Sequence, residues 1–334
     1  MTAKRLTQYI VFGLFGTVAA LVVGVISFLL YFIFSNGLSS ISWDFLSKPP
    51  EQDGLKGGIM LSIVGTLLLV LCSILVAFPI GVLSGIFMNE YAKENWWKKM
   101  VRLMTNNLAG IPSIVFGLFG LALFVKAAGF GASIIAGSLT LAAMILPILI
   151  RTTEESLKQV PGDYRSASLA LGATKWYTIR NVILPAAFPN IISGLILGIG
   201  RIAGETAPII FTVAASYLTQ FPRSIFSQVM ALPFTIYYMA SSHPKLMEAR
   251  PIAYGAAVVL LAIVLSLNLL SRLAVTKDKI GAFLYFLSIV FPPFGIGMWM
   301  FYRDKKPALA IDHVFAAGVG GGLYSIILLI QLFL

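Results

Sequence analysis

Residues 59–87 read IMLSIVGTLLLVLCSILVAFPIGVLSGIF and contain no charged side chain. About 20 such residues are enough for a helix to cross the ~30 Å hydrocarbon core of a bilayer. The whole chain of 334 residues is 58% hydrophobic and only 11% charged, whereas soluble domains carry about 25% charged residues. Because a spanning helix satisfies all of its backbone hydrogen bonds internally, we predict an all-α, polytopic membrane protein.

The same kind of apolar run recurs along the chain. We predict six spans in the main body and two further apolar stretches: Tyr9–Phe34, Ile59–Phe87, Leu103–Val125, Gly131–Ile150, Ala186–Ala214 and Ile252–Leu273, then Ile280–Phe301 and Val314–Leu334. Helix breakers inside spans, such as Pro79 and Pro112, favour a bundle around a pathway over isolated anchors. We therefore divide the chain into an N-terminal span and outside loop (1–58), a transport core (59–275) and a C-terminal extension (276–334).

Charge predicts the orientation. With the N-terminus in the cytoplasm, fourteen of the lysines and arginines lie in inside segments and six in outside segments, as the positive-inside rule requires. The net charge of +11 is explained by this bias, so it does not indicate nucleic-acid binding. Trp96 and Trp97, beside Lys98, suit the headgroup region. The lone Cys72 excludes an intrachain disulfide.

The longest predicted inside loop, Thr152–Leu184, contains signals for two short helices. Asp163 is placed to cap the first, Gly172 to end it and Thr174 to cap the second, which would run to Leu184. The second helix would carry an apolar stripe of Trp176, Ile179 and Ile183. The stripe packs either on the chain's own spans or on a partner, and the sequence leaves both open.

Arg201 and Glu205 are the only ionisable residues well inside a main-body span. A charge at this depth costs about 2.5–3.5 kcal/mol on insertion scales. A spacing of four residues would place the two side chains on one helix face. A guanidinium offers paired donors that match an oxyanion, and the carboxylate can hold that fork in place and accept a proton from a protonated phosphate. The alternative is a structural ion pair that only joins two helices.

Four glycines of the same span form two small-xxx-small pairs, which allow another helix to approach closely: Gly194, Gly198, Gly200 and Gly204. A charged pair beside such a contact indicates a site at a subunit seam.

The loop resembles a known motif. Ser166-Ala167-Ser168-Leu169-Ala170-Leu171-Gly172, followed by Ile183-Leu184-Pro185, is similar to the EAA loop of bacterial ABC-importer permeases, with serines where the motif prefers Glu and Ala. The resemblance implies a coupling helix that docks in a cleft of a separate cytoplasmic ATPase. The residues it assigns to this coupling loop are Ser166, Ala167, Gly172, Trp176, Ile183, Leu184 and Pro185.

The span that carries Arg201 resembles a narrower family. Gly200-Arg201-Ile202-Ala203-Gly204-Glu205-Thr206-Ala207-Pro208 is similar to the signature of the A-type permeases (PstA) of ABC phosphate importers. The resemblance implies that Arg201, Glu205 and Thr206 lie on a phosphate pathway in a multi-pass protein of a bacterial cell membrane. It also implies a related C-type permease, two ATPase subunits and an extracytoplasmic phosphate-binding protein as partners.

The chain lacks the motifs of several other classes. There is no Gly-Lys dipeptide and hence no Walker A loop, so ATP would be bound by a partner and this subunit would be neither an enzyme nor the holder of a cofactor. His243 and His313, the only histidines, are too far apart in sequence to suggest a metal site. The open alternatives are a permease for molybdate or sulphate, an ATPase-independent secondary transporter and an intramembrane enzyme.

The family resemblance does not explain the C-terminal extension. Lys277 and Lys279 precede Ile280–Phe301, and further basic residues follow it. We predict that this stretch enters from the cytoplasm, turns at Pro292-Pro293 and returns, and that Val314–Leu334 crosses once. The alternative is a Pro-kinked crossing of Ile280–Phe301.

Overall fold

The computed structural model describes residues 3–214 and 217–275. The predicted topology of the C-terminal extension lies outside these residues. The first helix, α1 (Ala3–Gly37), contains the first predicted span, Tyr9–Phe34. Most of its large apolar side chains from Val11 to Phe32, such as Phe12, Phe15 and Leu21, are exposed, as expected of a helix that faces lipid.

The rest of the described chain forms a compact unit beginning at Ser40. A small hairpin of β1 (Pro50–Glu51) and β2 (Lys56–Gly57) pairs antiparallel. The helices of this unit are α2 (Trp43–Ser47), α3 (Met60–Ile86), α4 (Trp96–Leu108), α5 (Ser113–Gly120), α6 (Ile134–Lys158), α7 (Gly162–Ala170), α8 (Lys175–Thr178), α9 (Leu184–Ala203), α10 (Ala207–Thr212), α11 (Leu232–Tyr237) and α12 (Leu246–Val275). Wider π-helical turns extend α3 to Tyr91, α5 to Ala127 and α11 to Ser242, and join α8 to α9.

The number of spans agrees with the prediction. Among the described residues, five helices are long and apolar enough to cross a membrane, and a bent pair of helices would make a sixth. The fold class, an all-α multi-pass bundle, is therefore confirmed.

The third predicted span, Leu103–Val125, is interrupted at the predicted helix breaker Pro112. The chain bends by 102° between Trp96–Leu108 and Ser113–Ala127. The bend falls at Gly110-Ile111-Pro112, where Pro112 cannot continue a helix because its ring excludes the hydrogen bond to the preceding turn. Pro112 instead occupies the N-cap position of α5.

The fifth predicted span, Ala186–Ala214, differs at both ends. Its helix begins earlier, because α8 continues through Ile179–Ile183 into α9 and the second loop helix does not stop at Leu184. The helix also ends earlier, at Ala203, and α10 starts only at Ala207. The break between them contains Gly204, Glu205 and Thr206.

The core forms around α6, which packs against both α3 and α9. Leu141, Ile145 and Leu149 of α6 are fully buried. Glycine allows the close approach on both sides: a Cβ at Gly81 of α3 would lie 2.6 Å from Leu149 Cβ, and one at Gly194 of α9 would lie 2.3 Å from Thr152 Oγ1. This close approach increases the van der Waals contact between the helices. In lipid, such packing drives helix association because the hydrophobic effect does not.

Candidate functional site

Arg201 and Glu205 lie at the break between α9 and α10. Arg201 Nε is 3.6 Å from Glu205 Oε1, so the predicted pairing is confirmed. The predicted reason is wrong, because Glu205 follows the end of the helix and does not share a helix face with Arg201. Arg201 occupies the last turn of α9, where the negative end of the helix dipole favours a cation.

The pair remains accessible. The side chain of Arg201 is 31% exposed and that of Glu205 is 18% exposed. Within the part of the chain that the structure describes, Glu205 is the one ionic partner of Arg201. A guanidinium carries five N–H donors, so most of them remain available to an anion arriving at this break.

Thr206, the third predicted pathway residue, lies beside Glu205 at the N-cap position of α10. Its side chain makes no capping hydrogen bond there. The hydroxyl is therefore not committed to the helix that follows it.

The four predicted packing glycines divide into two groups. Gly194 meets Thr152 closely, and Gly198 lies in ordinary contact with Ile145, with 3.8 Å between the added Cβ and Ile145 Cβ. Among the described residues, a Cβ at Gly200 would meet only the side chain of Asn268, and the nearest atom to a Cβ at Gly204 is 3.9 Å away. Helix packing within this chain accounts for Gly194, while the surface at Gly200 and Gly204 has room for another element.

The structure confirms two of the three signals in the predicted coupling loop. Gly172 has φ of +80°, a conformation that favours glycine. Thr174 caps α8 by accepting a hydrogen bond from the Tyr177 amide at 3.3 Å. Asp163 does not cap α7: the N-cap position belongs to Pro161, and Asp163 lies in the first turn, where its charge suits the helix dipole.

The loop presents an apolar surface without cover from the described residues. No residue of α7 is buried, and Leu171 is 89% exposed. Ala167, Ser168 and Gly172 line a shallow groove together with Thr174 and Tyr177. The Ser166 hydroxyl donates to the Asp163 carbonyl within its own helix at 3.1 Å.

Two of the three residues of the predicted apolar stripe pack on the chain's own helices, and the third is half-exposed. Ile179 and Ile183 are buried in a cluster with Ile86 and Leu157 of the chain's own helices. Trp176 is 49% exposed. Leu184 packs partly against the same cluster, while Pro185 is exposed at the start of α9.

Sequence reasoning missed the ion pairs that hold the loop. Arg165 of α7 donates to Glu90 Oε1 at the end of α3 over 2.8 Å, and to the carbonyls of Leu157 and Val160 over 2.8 and 2.9 Å. Lys175 donates to the Glu90 carbonyl and lies over the Tyr91 ring. Arg165 and Glu90 are 75 positions apart in the sequence, which leaves no local sequence signal for this pair.

A second ionic cluster joins α4 to α6. Arg102 Nε donates to Glu154 Oε1 over 2.8 Å, and Lys158 reaches the same oxygen over 2.9 Å. The four-residue spacing of Glu154 and Lys158 is a sequence signal that could have predicted the Lys158–Glu154 pair, but not the contact with Arg102. Nearby, Lys98 pairs with Glu94 at 2.7 Å, and this hydrogen bond lowers the pKa of the Glu94 carboxyl below its usual value.

Comparison with known proteins gives a consistent result. A family model described as a binding-protein-dependent transport system inner membrane component matches residues 77–277. The chain is 34% identical over 280 residues to a probable ABC transporter permease protein, YqgI, of Bacillus subtilis (strain 168), covering 80% of this chain and 95% of that protein.

Two further relatives are described as the phosphate transport system permease protein PstA. The protein from Xylella fastidiosa (strain Temecula1) is 35% identical, with 74% of this chain and 85% of the relative covered, and that from Yersinia pestis is 37% identical, with 73% and 80% covered. A solved inward-facing structure of the MetNI methionine ABC transporter is 18% identical, with a TM-score of 0.49 over 66% of this chain and 95% of that chain. The chain belongs to the binding-protein-dependent ABC permeases, and within them to the PstA family.

Proposed function

We propose that this chain is a permease subunit of an ATP-driven importer of inorganic phosphate. The observation that carries the proposal is the accessible Arg201–Glu205 pair at the break between α9 and α10. The PstA relatives, described as phosphate transport permeases, support the choice of substrate.

The chemistry of the pair suits hydrogen phosphate. The Arg201 guanidinium would supply paired N–H donors to two phosphate oxygens and stay charged at any physiological pH. Glu205 lies close enough to hold the guanidinium in place. Its carboxylate would also accept a hydrogen bond from the P–O–H group of a protonated phosphate, a donor that a fully ionised tetrahedral anion lacks.

The energy for transport would enter at the coupling loop. The exposed surface of α7 and Leu171 is suited to dock in a cytoplasmic ATPase subunit. Arg165 and Lys175 connect that surface to the end of α3, so movement of the loop would be passed to the spans. Two ATPase subunits, a C-type permease and an extracytoplasmic phosphate-binding protein would complete the complex in a bacterial inner membrane, with the N-terminus of this chain in the cytoplasm.

ATP hydrolysis by the purified complex in liposomes tests the substrate. We expect phosphate with its binding protein to stimulate hydrolysis, and molybdate and sulphate at equal concentration to leave it at the basal rate. Stimulation by molybdate or sulphate but not by phosphate would assign the permease to another oxyanion. Purification of the chain as an active transporter without any ATPase would contradict the mechanism itself.

A further inference from the structure

Helix α4 is amphipathic, and its exposed face is largely apolar. Along one face, Lys98, Arg102 and Thr105 point toward the protein, where Lys98 is buried and Arg102 binds Glu154. The opposite face carries exposed apolar side chains: Trp96, Trp97, Val101, Leu103, Met104 and Leu108. A helix on a water-soluble surface buries its apolar stripe and exposes its charges, whereas α4 buries Lys98 and exposes most of its large apolar side chains. Its exposed surface also includes the polar side chains of Lys99, Asn106 and Asn107.

The direction of α4 agrees with this pattern. It makes an angle of 102° with Ser113–Ala127, the arm that carries the apolar third span. If that arm runs near the membrane normal, α4 runs near the membrane plane.

We propose that α4 is an interfacial helix, lying in the headgroup–acyl boundary of the bilayer leaflet on the side that the charge bias predicts to be cytoplasmic. Tryptophan is enriched at this depth because one part of its ring is apolar and its N–H is polar. Trp96 and Trp97 are both about two-thirds exposed. Lys93 and Lys99 are exposed beside them and would meet anionic phosphate headgroups.

The apolar surface continues beyond the bend. Ile114, Val115, Leu118 and Phe119 of α5 are each close to half exposed. Leu108 of α4 and Val115 and Phe119 of α5 line one apolar groove, so exposed apolar side chains lie on both sides of the bend, as expected where both helices contact the same leaflet.

The contact has a mechanical consequence. Arg102 and its partner Glu154 connect α4 to the last part of α6, and α6 leads directly into the coupling loop. Lipid that holds α4 at the interface would provide a fixed support against which the loop moves. This last step depends on the proposed function, but the lipid contact does not.

Photocrosslinking in living cells tests the lipid contact in the native assembly. p-Benzoylphenylalanine is introduced in place of Met104, and in a second variant in place of Leu103, so that failure of one variant to fold does not decide the result. The control carries the same group in place of Leu171, the most exposed apolar residue of the coupling loop. After irradiation, the purified chain is examined by mass spectrometry for phospholipid adducts and by gel for protein adducts.

We expect phospholipid adducts at positions 104 and 103, at least several-fold above those at position 171. A protein adduct as the main product at both positions would overturn the proposal and assign the face to a neighbouring subunit. Absence of any adduct at either position would overturn it as well, because the face would then be open to water. In a Lys93→Gln, Lys99→Gln background, the share of anionic lipid among the adducts should fall toward the bulk composition, and an unchanged share would refute the headgroup contact.

Discussion

At the scale of single residues, the proposed phosphate pathway depends most on Arg201. The structure places its guanidinium at the end of a helix, accessible and paired with one carboxylate, which is the arrangement that a passing oxyanion needs.

Arg201→Lys separates charge from geometry. A lysine keeps the positive charge but loses the planar fork that binds two oxygens at once. A charge-assisted hydrogen bond contributes about 1.5–3 kcal/mol, so we expect phosphate uptake to fall by about tenfold or more. The measurement is radiolabelled phosphate uptake in cells, normalised to the amount of the subunit in the membrane. Uptake equal to wild type would show that the fork is not used.

Gly172→Val tests the turn of the coupling loop. At φ of +80° a β-branched residue is strained by about 1–2 kcal/mol or more, so the turn should open and coupling of ATP hydrolysis to uptake should be lost while the spans remain. The matched control is Gly162→Ala in the first turn of α7, where an added Cβ meets nothing within 4 Å and φ is not positive. If both variants transport at the wild-type ratio of phosphate to ATP, the loop has no such role.

At the scale of elements, the ion pairs between helices are the parts that sequence could not supply. Glu154 is 7% exposed and receives Arg102 from a different helix. Glu154→Gln would leave the Arg102 guanidinium without the negative charge that it binds. Removal of one partner of a buried ion pair lowers the free energy of unfolding by about 3–5 kcal/mol. Because Arg102 is partly exposed, we expect the low end of that range, measured as a clear fall in the melting temperature in detergent.

Glu155→Gln is the matched control for that variant. Glu155 is the next residue of α6 and pairs with Arg151 at 2.9 Å, but both side chains are more than half exposed. Exposed pairs contribute 0.2–1 kcal/mol, so the melting temperature should change little. Equal losses in the two variants would contradict the assignment of the Arg102–Glu154 contact as the one that joins α4 to α6.

The spans themselves could be predicted because apolar runs report directly on helices in lipid. The runs around Ile59–Phe87 and Gly131–Ile150 correspond to α3 and α6. Breaks were harder to predict: Pro112 gave a signal for the bend but not for its angle of 102°. The end of α9 at Ala203 had only Gly204 to mark it, and apolar residues on both sides hid the break. Glu205 therefore approaches Arg201 through a turn, although the sequence had suggested a shared helix face.

At the scale of the whole molecule, the family match distinguishes the predicted transport core from the C-terminal extension. The matched family region ends at residue 277, and the candidate pathway and coupling loop lie within it. We expect a chain truncated after Lys279 to transport phosphate at close to the wild-type rate, provided that it reaches the membrane in normal amount. A loss of uptake without loss of the protein would assign the extension a part in transport.

The central claim is that this subunit forms a phosphate pathway through Arg201. The most direct measurement is ATP-driven uptake of radiolabelled phosphate by the assembled complex in proteoliposomes, comparing wild type with Arg201→Ala at equal reconstitution. The account predicts uptake by the wild type that excess unlabelled phosphate suppresses and excess molybdate or sulphate does not, and no uptake above background by Arg201→Ala. Wild-type uptake by Arg201→Ala, or equal suppression by molybdate or sulphate, would contradict it.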